Sequence, residues 1–228
     1  MKKLSLLLFI LLSYNVFAQK DALLKIMKEE LTREMDVLSK EKEAPYFMSY
    51  LVNEIRETNI KADLGNIVNS DFNAGRYLTM SLRVGNPKLD NTRNIRESWS
   101  WGSTKEVTLP LDNDPISIKH ILWKTTDEKY KDAVSRFNKV KTNMAIKVDA
   151  EDLSDDFTEE KPYNYEEAMP DYSKLTLDKS KWEAKLKKYS AIFLENPNIF
   201  EGEASLKYEL ARKYIVPPEC TVTAHHLH

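Results

Sequence analysis

Apolar residues recur at intervals of three and four between Asp21 and Ser39. Leu24, Met27, Leu31, Met35 and Leu38 share one side of a helix, while Lys28, Glu29, Glu30 and Arg33 fall elsewhere. The period then changes to two. Tyr46, Met48, Tyr50 and Val52 alternate with Phe47, Ser49 and Leu51, which predicts a strand over Tyr46–Glu57. A second strand is predicted over Ile60–Val68, and the polar run Asn69–Gly75 reads as a turn. Arg76–Val84 alternates most regularly, with Leu78, Met80, Leu82 and Val84 on one face and Tyr77, Thr79, Ser81 and Arg83 on the other. Such a pattern suits an antiparallel sheet with one buried face.

Gly85 to Leu111 has no period. It holds Asp90-Asn91-Thr92 and two tryptophans, Trp99 and Trp101, which either close a core edge or form a binding surface. Asp114-Pro115 then starts a helix, with Asp as N-cap and Pro at the first helical position. Thr125 and Glu128 have the spacing of a capping box and predict a second helix start, carried on by Tyr130, Ala133, Val134, Phe137 and Val140. A third helix is predicted from Lys179 to Phe193, capped by Asp178, with a stripe of Trp182, Leu186, Tyr189 and Phe193. Ile199–Val216 supplies one long strand or two short ones, and residues 217–228 read as an irregular tail after Pro217-Pro218. The fold class implied is α+β, with helices packed on a mostly antiparallel sheet.

Charge changes this picture in one place. Residues 149–170 carry Asp149, Glu151, Asp152, Asp155, Asp156, Glu159, Glu160, Glu166 and Glu167 with Lys161 as the one base, and read as an acidic linker inside the domain. A calcium loop, a glycosidase-type carboxylate pair and an acidic docking strip are the alternatives. The calcium loop lacks its central glycine, since this stretch contains none. A carboxylate pair needs one shielded member, which spacing alone does not reveal. Over the whole chain, 34 Lys and Arg balance 36 Asp and Glu, so no overall positive charge argues for nucleic acid as a partner. The single cysteine, Cys220, excludes a disulfide scaffold.

The N-terminus has its own signature. Lys2 and Lys3 precede an apolar run from Leu4 to Leu12, and Val16-Phe17-Ala18 fits the small-residue rule of a signal-peptidase site. Residues 1–18 are therefore read as a signal peptide and 19–216 as the folded domain, exported to the periplasm or beyond after cleavage near Ala18. The run is short for a span of about 20 apolar residues, so no stable membrane anchor is expected.

Catalytic motifs are missing. His120 has no second histidine at helical spacing, which excludes HExxH and HExxxH zinc geometry, and His225, His226 and His228 crowd the extreme terminus. Cys220 has no local base, and no GxSxG, GxGxxG or GxxxxGK[ST] occurs. No catalytic residue and no metal ligand can be named.

The order of elements carries a resemblance. A long N-terminal helix precedes alternating strands, then Arg83-Val84-Gly85 leading to Asp90-Asn91-Thr92. Asp112-Asn113-Asp114-Pro115 follows, and then Trp123-Lys124-Thr125-Thr126-Asp127-Glu128-Lys129-Tyr130. Together these resemble the N-terminal domain of the TldD/PmbA metallopeptidase family, formerly described as modulators of DNA gyrase, over roughly Asp21 to Val216. The motif residues are Arg83, Gly85, Asp90, Asn91, Thr92, Asp114, Pro115, Trp123, Asp127 and Tyr130. They are packing and turn signatures.

What the resemblance implies divides by half. The family's zinc ligands and catalytic glutamate belong to an HExxxH helix in a C-terminal domain, so no catalytic residue carries over and this chain is expected to hold no cofactor and to be inactive alone. The partners implied are that C-terminal peptidase domain, a homo- or paralogous dimer partner, and extended peptides. Pro217-Pro218-Glu219-Cys220 departs from the family's turn after the last strand, which suggests a truncated product, a frameshifted end or a cut fragment. The expected peptide-binding or interface residues are Trp99, Trp101, Leu78, Met80 and Leu82, with strand edges in Arg76–Val84 and Tyr46–Val52 as acceptors. A stand-alone exported binding module without catalytic activity, with a pocket near Trp99 and Trp101, is the rival. A carboxylate-based hydrolase using the acids of 149–167, with Asp155 and Asp156 as the substitutions that test it, is a third reading.

Overall fold

The computed structural model describes residues 21–95, 106–146, 154–158, 175–217 and 223–227. Trp99 and Trp101, the signal segment and most of the acidic stretch lie outside them. In chain order the elements are α1 (Ala22–Leu38), β1 (Pro45–Asp63), β2 (Asn66–Asn86), β3 (Leu89–Asp90), β4 (Val107–Thr108), α2 (Pro115–Ile146), α3 (Lys179–Ala191), a 3-10 turn (Ile192–Glu195), β5 (Glu203–Val216) and β6 (Thr223–Leu227). All strand pairings are antiparallel, in the order β3-β2-β1-β5-β6, with β4 also on β2. The α+β expectation holds.

Two long strands replace the three short ones predicted. β1 runs unbroken through Glu57-Thr58-Asn59, and Asn69–Gly75 is paired strand, not turn: Arg56 faces Ala74 and Asn59 faces Asp71. Chain reversal occurs at Leu64-Gly65, both at positive φ (42° and 82°), as a two-residue hairpin loop of the primed type requires. Leucine is an uncommon residue there, which hid the turn. The turn is held from outside: Gly65 N–H donates to Ser190 Oγ (2.9 Å), and Gly202 N–H donates to Asp63 Oδ1 (2.8 Å). Cross-strand pairing along the whole length of β1 overrides the polar composition of the arm.

One face of the sheet is covered. At the end of the hairpin far from the Leu64-Gly65 turn, Met48, Tyr50, Val52, Leu78, Met80 and Val84 are buried under α1 and α2. Each such side chain contributes about 1.5–3 kcal/mol by leaving water. The Tyr50 hydroxyl, buried with its ring, meets Thr126 Oγ1 at 2.9 Å. Around the hairpin arm a smaller cluster, Ile60, Ala62 and Leu186, is closed by Trp182 and Leu206. Between the two sits a buried ion pair across β1 and β2. Arg76 Nη2 donates to Glu54 Oε2 (2.6 Å), and its Nη1 donates to Pro110 O (2.8 Å) and Asn113 Oδ1 (3.0 Å). Arg76 thus ties the segment before α2 to the sheet.

The helices depart from prediction in two places. No second start occurs at Thr125, because α2 is continuous. Thr125 and Thr126 turn their hydroxyls back onto Ile121 O (2.8 Å) and Leu122 O (2.9 Å), so neither caps a helix. In α3 the inward line is Trp182, Leu186 and Ser190, while Tyr189 is exposed, and the α-helix gives way to the 3-10 turn at Ile192. The tail expected to be irregular contains β6, whose backbone pairs with β5 from Ala211–Leu227 to Ile215–Thr223. An unpaired edge of β5 offers backbone groups to whatever chain returns alongside it.

Candidate functional site

The motif residues that the sequence groups as Arg83, Gly85, Asp90, Asn91 and Thr92 converge at the end of β2, where the chain turns into β3. Gly85 makes the turn possible. Its φ is +113°, and a Cβ there would lie 2.5 Å from Leu89 O and 2.7 Å from Phe137 Cε2 of α2. Asp90, whose side chain is fully buried, receives four donors. Thr92 N–H (2.6 Å) and Thr92 Oγ1 (2.7 Å) reach Oδ1; Tyr46 OH (2.6 Å) and Arg83 Nη1 (2.6 Å) reach Oδ2. Burial pushes the Asp90 carboxyl up, but the bonds from Thr92, Tyr46 and Arg83 outweigh it and hold the group below its ordinary value. Burial, then the neighbouring Asp90 carboxylate, keeps the Tyr46 phenol well above the usual tyrosine range. Asn91 extends the edge of β2: its Oδ1 accepts from Val84 N (2.8 Å), its N–H donates to Val84 O (3.1 Å), and its carbonyl accepts from Arg136 Nε of α2 (2.6 Å).

Onto this corner docks a short piece of the acidic stretch. Asp156 Oδ2 accepts from Asp90 N–H (2.8 Å) and Asp156 Oδ1 from Arg93 Nε (2.7 Å), while Phe157 N–H donates to Pro87 O (3.0 Å). Asp155 is exposed. With Asp156 committed to Arg93 and a backbone N–H, the two do not form the shielded acid and free base that hydrolysis requires.

The remaining motif residues serve α2. Asp114 caps it, accepting from Ser117 N–H (2.9 Å), and Pro115 is its first residue. Trp123 is half exposed beside His120, with ring centroids 5.7 Å apart, and Asp127 pairs with Lys131 on the surface (2.7 Å). Tyr130 packs against the main core, and burial, then Glu41 and Glu43, raises its pKa. Sequence reasoning missed Tyr46, Arg93, Arg136 and Phe157, and singled out Asp156 only as a candidate hydrolytic acid. The one available signal was an aromatic residue, Phe157, inside a run of acids.

Leu78, Met80 and Leu82 have their side chains in the core, so only their backbones can meet a ligand. Those backbones form the outer edge of β2. Arg76 O accepts from Leu109 N (2.8 Å), Leu78 pairs with Val107, and Val84 bonds Asn91 at both N and O. By strand alternation the amide and carbonyl groups of Met80 and Leu82 point the same way. Among the described residues, nothing pairs with them.

No group of three or more His, Cys, Asp and Glu among the described residues is placed to hold a metal. The described residues therefore offer zinc no site. No helix among the described residues is long and apolar enough to cross a membrane.

No protein-family model matches the chain, and no curated protein matches it. Similar solved structures are a proposed modulator of DNA gyrase from Thermotoga maritima (12% identity, TM-score 0.41, covering 87% of this chain and 37% of that one) and TldE from Thermococcus kodakarensis (12%, 0.42, 86% and 36%). A second proposed modulator of DNA gyrase, from Bacteroides thetaiotaomicron, is similar at 12% identity and TM-score 0.37, covering 86% of this chain and 38% of that one. The chain therefore spans little more than a third of each of these proteins. These structure neighbours are TldD/TldE-family proteins, the family that the sequence resembles.

Proposed function

We propose that this chain is the substrate-side and dimerisation domain of a TldD/PmbA-like peptidase, exported after loss of residues 1–18 and catalytically silent by itself. Its task is to hold a flexible peptide in extended form while another domain supplies the metal. The observation that carries this reading is the outer edge of β2. Met80 and Leu82 present backbone donors and acceptors between the paired positions Leu78 and Val84, with their side chains buried. An extended peptide added at such an edge is held by its main chain and needs no particular side chains. A second surface suits the partner domain: Ile192, Leu194 and Phe200 are largely exposed near the hairpin turn.

The test uses unfolded peptides with and without backbone N-methylation. The purified chain binds the plain peptides and leaves them intact, with or without zinc. N-methylation at every residue abolishes binding, because it removes the donors on both edges of the peptide, whereas methylation at alternate residues leaves one edge able to pair. Chelator-sensitive cleavage, or binding indifferent to N-methylation, would defeat the proposal.

A further inference from the structure

The corner formed by Arg83, Arg93, Tyr46, Phe47 and the β2–β3 turn is filled by residues 154–158 of the same chain. Only two of those five side chains point inward. The Asp156 carboxylate takes two donors, Asp90 N–H (2.8 Å) and Arg93 Nε (2.7 Å), and Arg93 Nη2 also donates to Ser154 O (2.6 Å). The Phe157 ring lies 4.3 Å under the Arg83 guanidinium, 5.1 Å from the Phe47 ring and 6.1 Å, edge-on, from Tyr46. Ser154, Asp155 and Thr158 are exposed.

The receiving side is specialised for this occupant. Arg83 keeps its own partners, Asp90 and Thr92, and offers the ring only its face. The Arg93 side chain is 14% exposed, and among the described residues its guanidinium bonds only Asp156 and Ser154. Without the segment, a largely buried guanidinium and the Asp90 amide would both lose their acceptors.

We infer that this corner is a recognition pocket for an acidic–aromatic peptide, an aspartate followed by phenylalanine, which the chain's own Asp156-Phe157 occupies in cis. A tethered segment competes at an effective concentration in the millimolar range, so a peptide offered in trans binds the parent chain weakly. Pocket binding depends on side chains and involves one bond between backbones, from Phe157 N–H to Pro87 O. It is therefore separable from strand addition at β2, and stands or falls without it.

The probe is a fluorescent, end-capped peptide of sequence Ser-Asp-Asp-Phe-Thr. The full chain carrying Asp156→Ala and Phe157→Ala, checked for folding by circular dichroism, binds it at least about tenfold more tightly than the parent does, because the tethered competitor is gone. Replacing the peptide's second aspartate by asparagine, or its phenylalanine by alanine, weakens binding at least about tenfold, as loss of a charge-assisted bond or of a buried ring requires. Phe157→Ala alone keeps the Asp156 bonds and gives a second reading: the peptide raises its Tm. A folded double variant that binds the peptide no better than a scrambled one, or a Phe157→Ala chain whose Tm ignores the peptide, overturns the inference.

Discussion

Replacing Asp90 is the sharpest probe of the corner on which the site is built. Its carboxylate is fully buried and takes four donors at 2.6–2.7 Å, one of them the Arg83 guanidinium, whose side chain is 23% exposed. Removing one partner of a fully buried ion pair costs about 3–5 kcal/mol. Water reaches Arg83 in part, which lowers that figure, while the Tyr46 hydroxyl and Thr92 N–H each lose an acceptor, which raises it. Asp90→Ala is therefore expected to cost about 3–4 kcal/mol, and Asp90→Asn, which keeps one acceptor oxygen, about 2 kcal/mol. Urea denaturation followed by circular dichroism at neutral pH measures both, and a double-mutant cycle with Arg83→Ala is expected to return a coupling of about 1–2 kcal/mol. The pH dependence has a definite sign. Because the folded pKa of Asp90 lies below its ordinary 3.8, its contribution is present above that value and fades as pH falls through the lowered one. The gap between parent and Asp90→Asn therefore closes in acid, below about pH 3.8. A loss under about 1 kcal/mol for Asp90→Ala, or a gap that widens in acid, would refute the reasoning.

Three further outcomes follow from named contacts. Gly85→Ala places a methyl group against Leu89 O and the Phe137 ring at a φ that alanine rarely adopts, and is expected to cost at least about 2 kcal/mol in the same denaturation assay. Leu64→Asn, at φ 42°, relieves strain in the hairpin turn and is expected to stabilise by about 1 kcal/mol, read as a higher urea midpoint. Serine at Ile192, Leu194 and Phe200 together is expected to change stability by less than about 0.5 kcal/mol per site, because all three are exposed, yet to abolish any association measured by sedimentation.

The parts of the fold legible in the sequence were those set by periodicity. Met48, Tyr50, Val52, Leu78, Met80 and Val84 are buried as their alternation implies, and Asp114 and Asp178 cap the helices that follow them. The hairpin was not legible. Its turn uses Leu64 in a conformation that leucine disfavours, and the polar Asn69–Gly75 is kept extended by pairing partners on β1. Thr125 and Glu128 imitate a helix start only until the Thr125 hydroxyl is seen bonding Ile121 O. At the site, Arg83, Asp90 and Thr92 are close in sequence and could be grouped. Asp156 and Phe157 come from more than sixty residues away, within a stretch whose charge argued for solvation.

The central claim is that β2 accepts an extended peptide through the backbones of Met80 and Leu82. Amide hydrogen exchange, resolved by residue with and without a saturating unfolded peptide, tests it most directly. Strand addition requires the Met80 and Leu82 amides to slow at least about tenfold, while Thr79 and Ser81, which face β1, stay unchanged. Bound peptide with unaltered exchange at Met80 and Leu82 would contradict it.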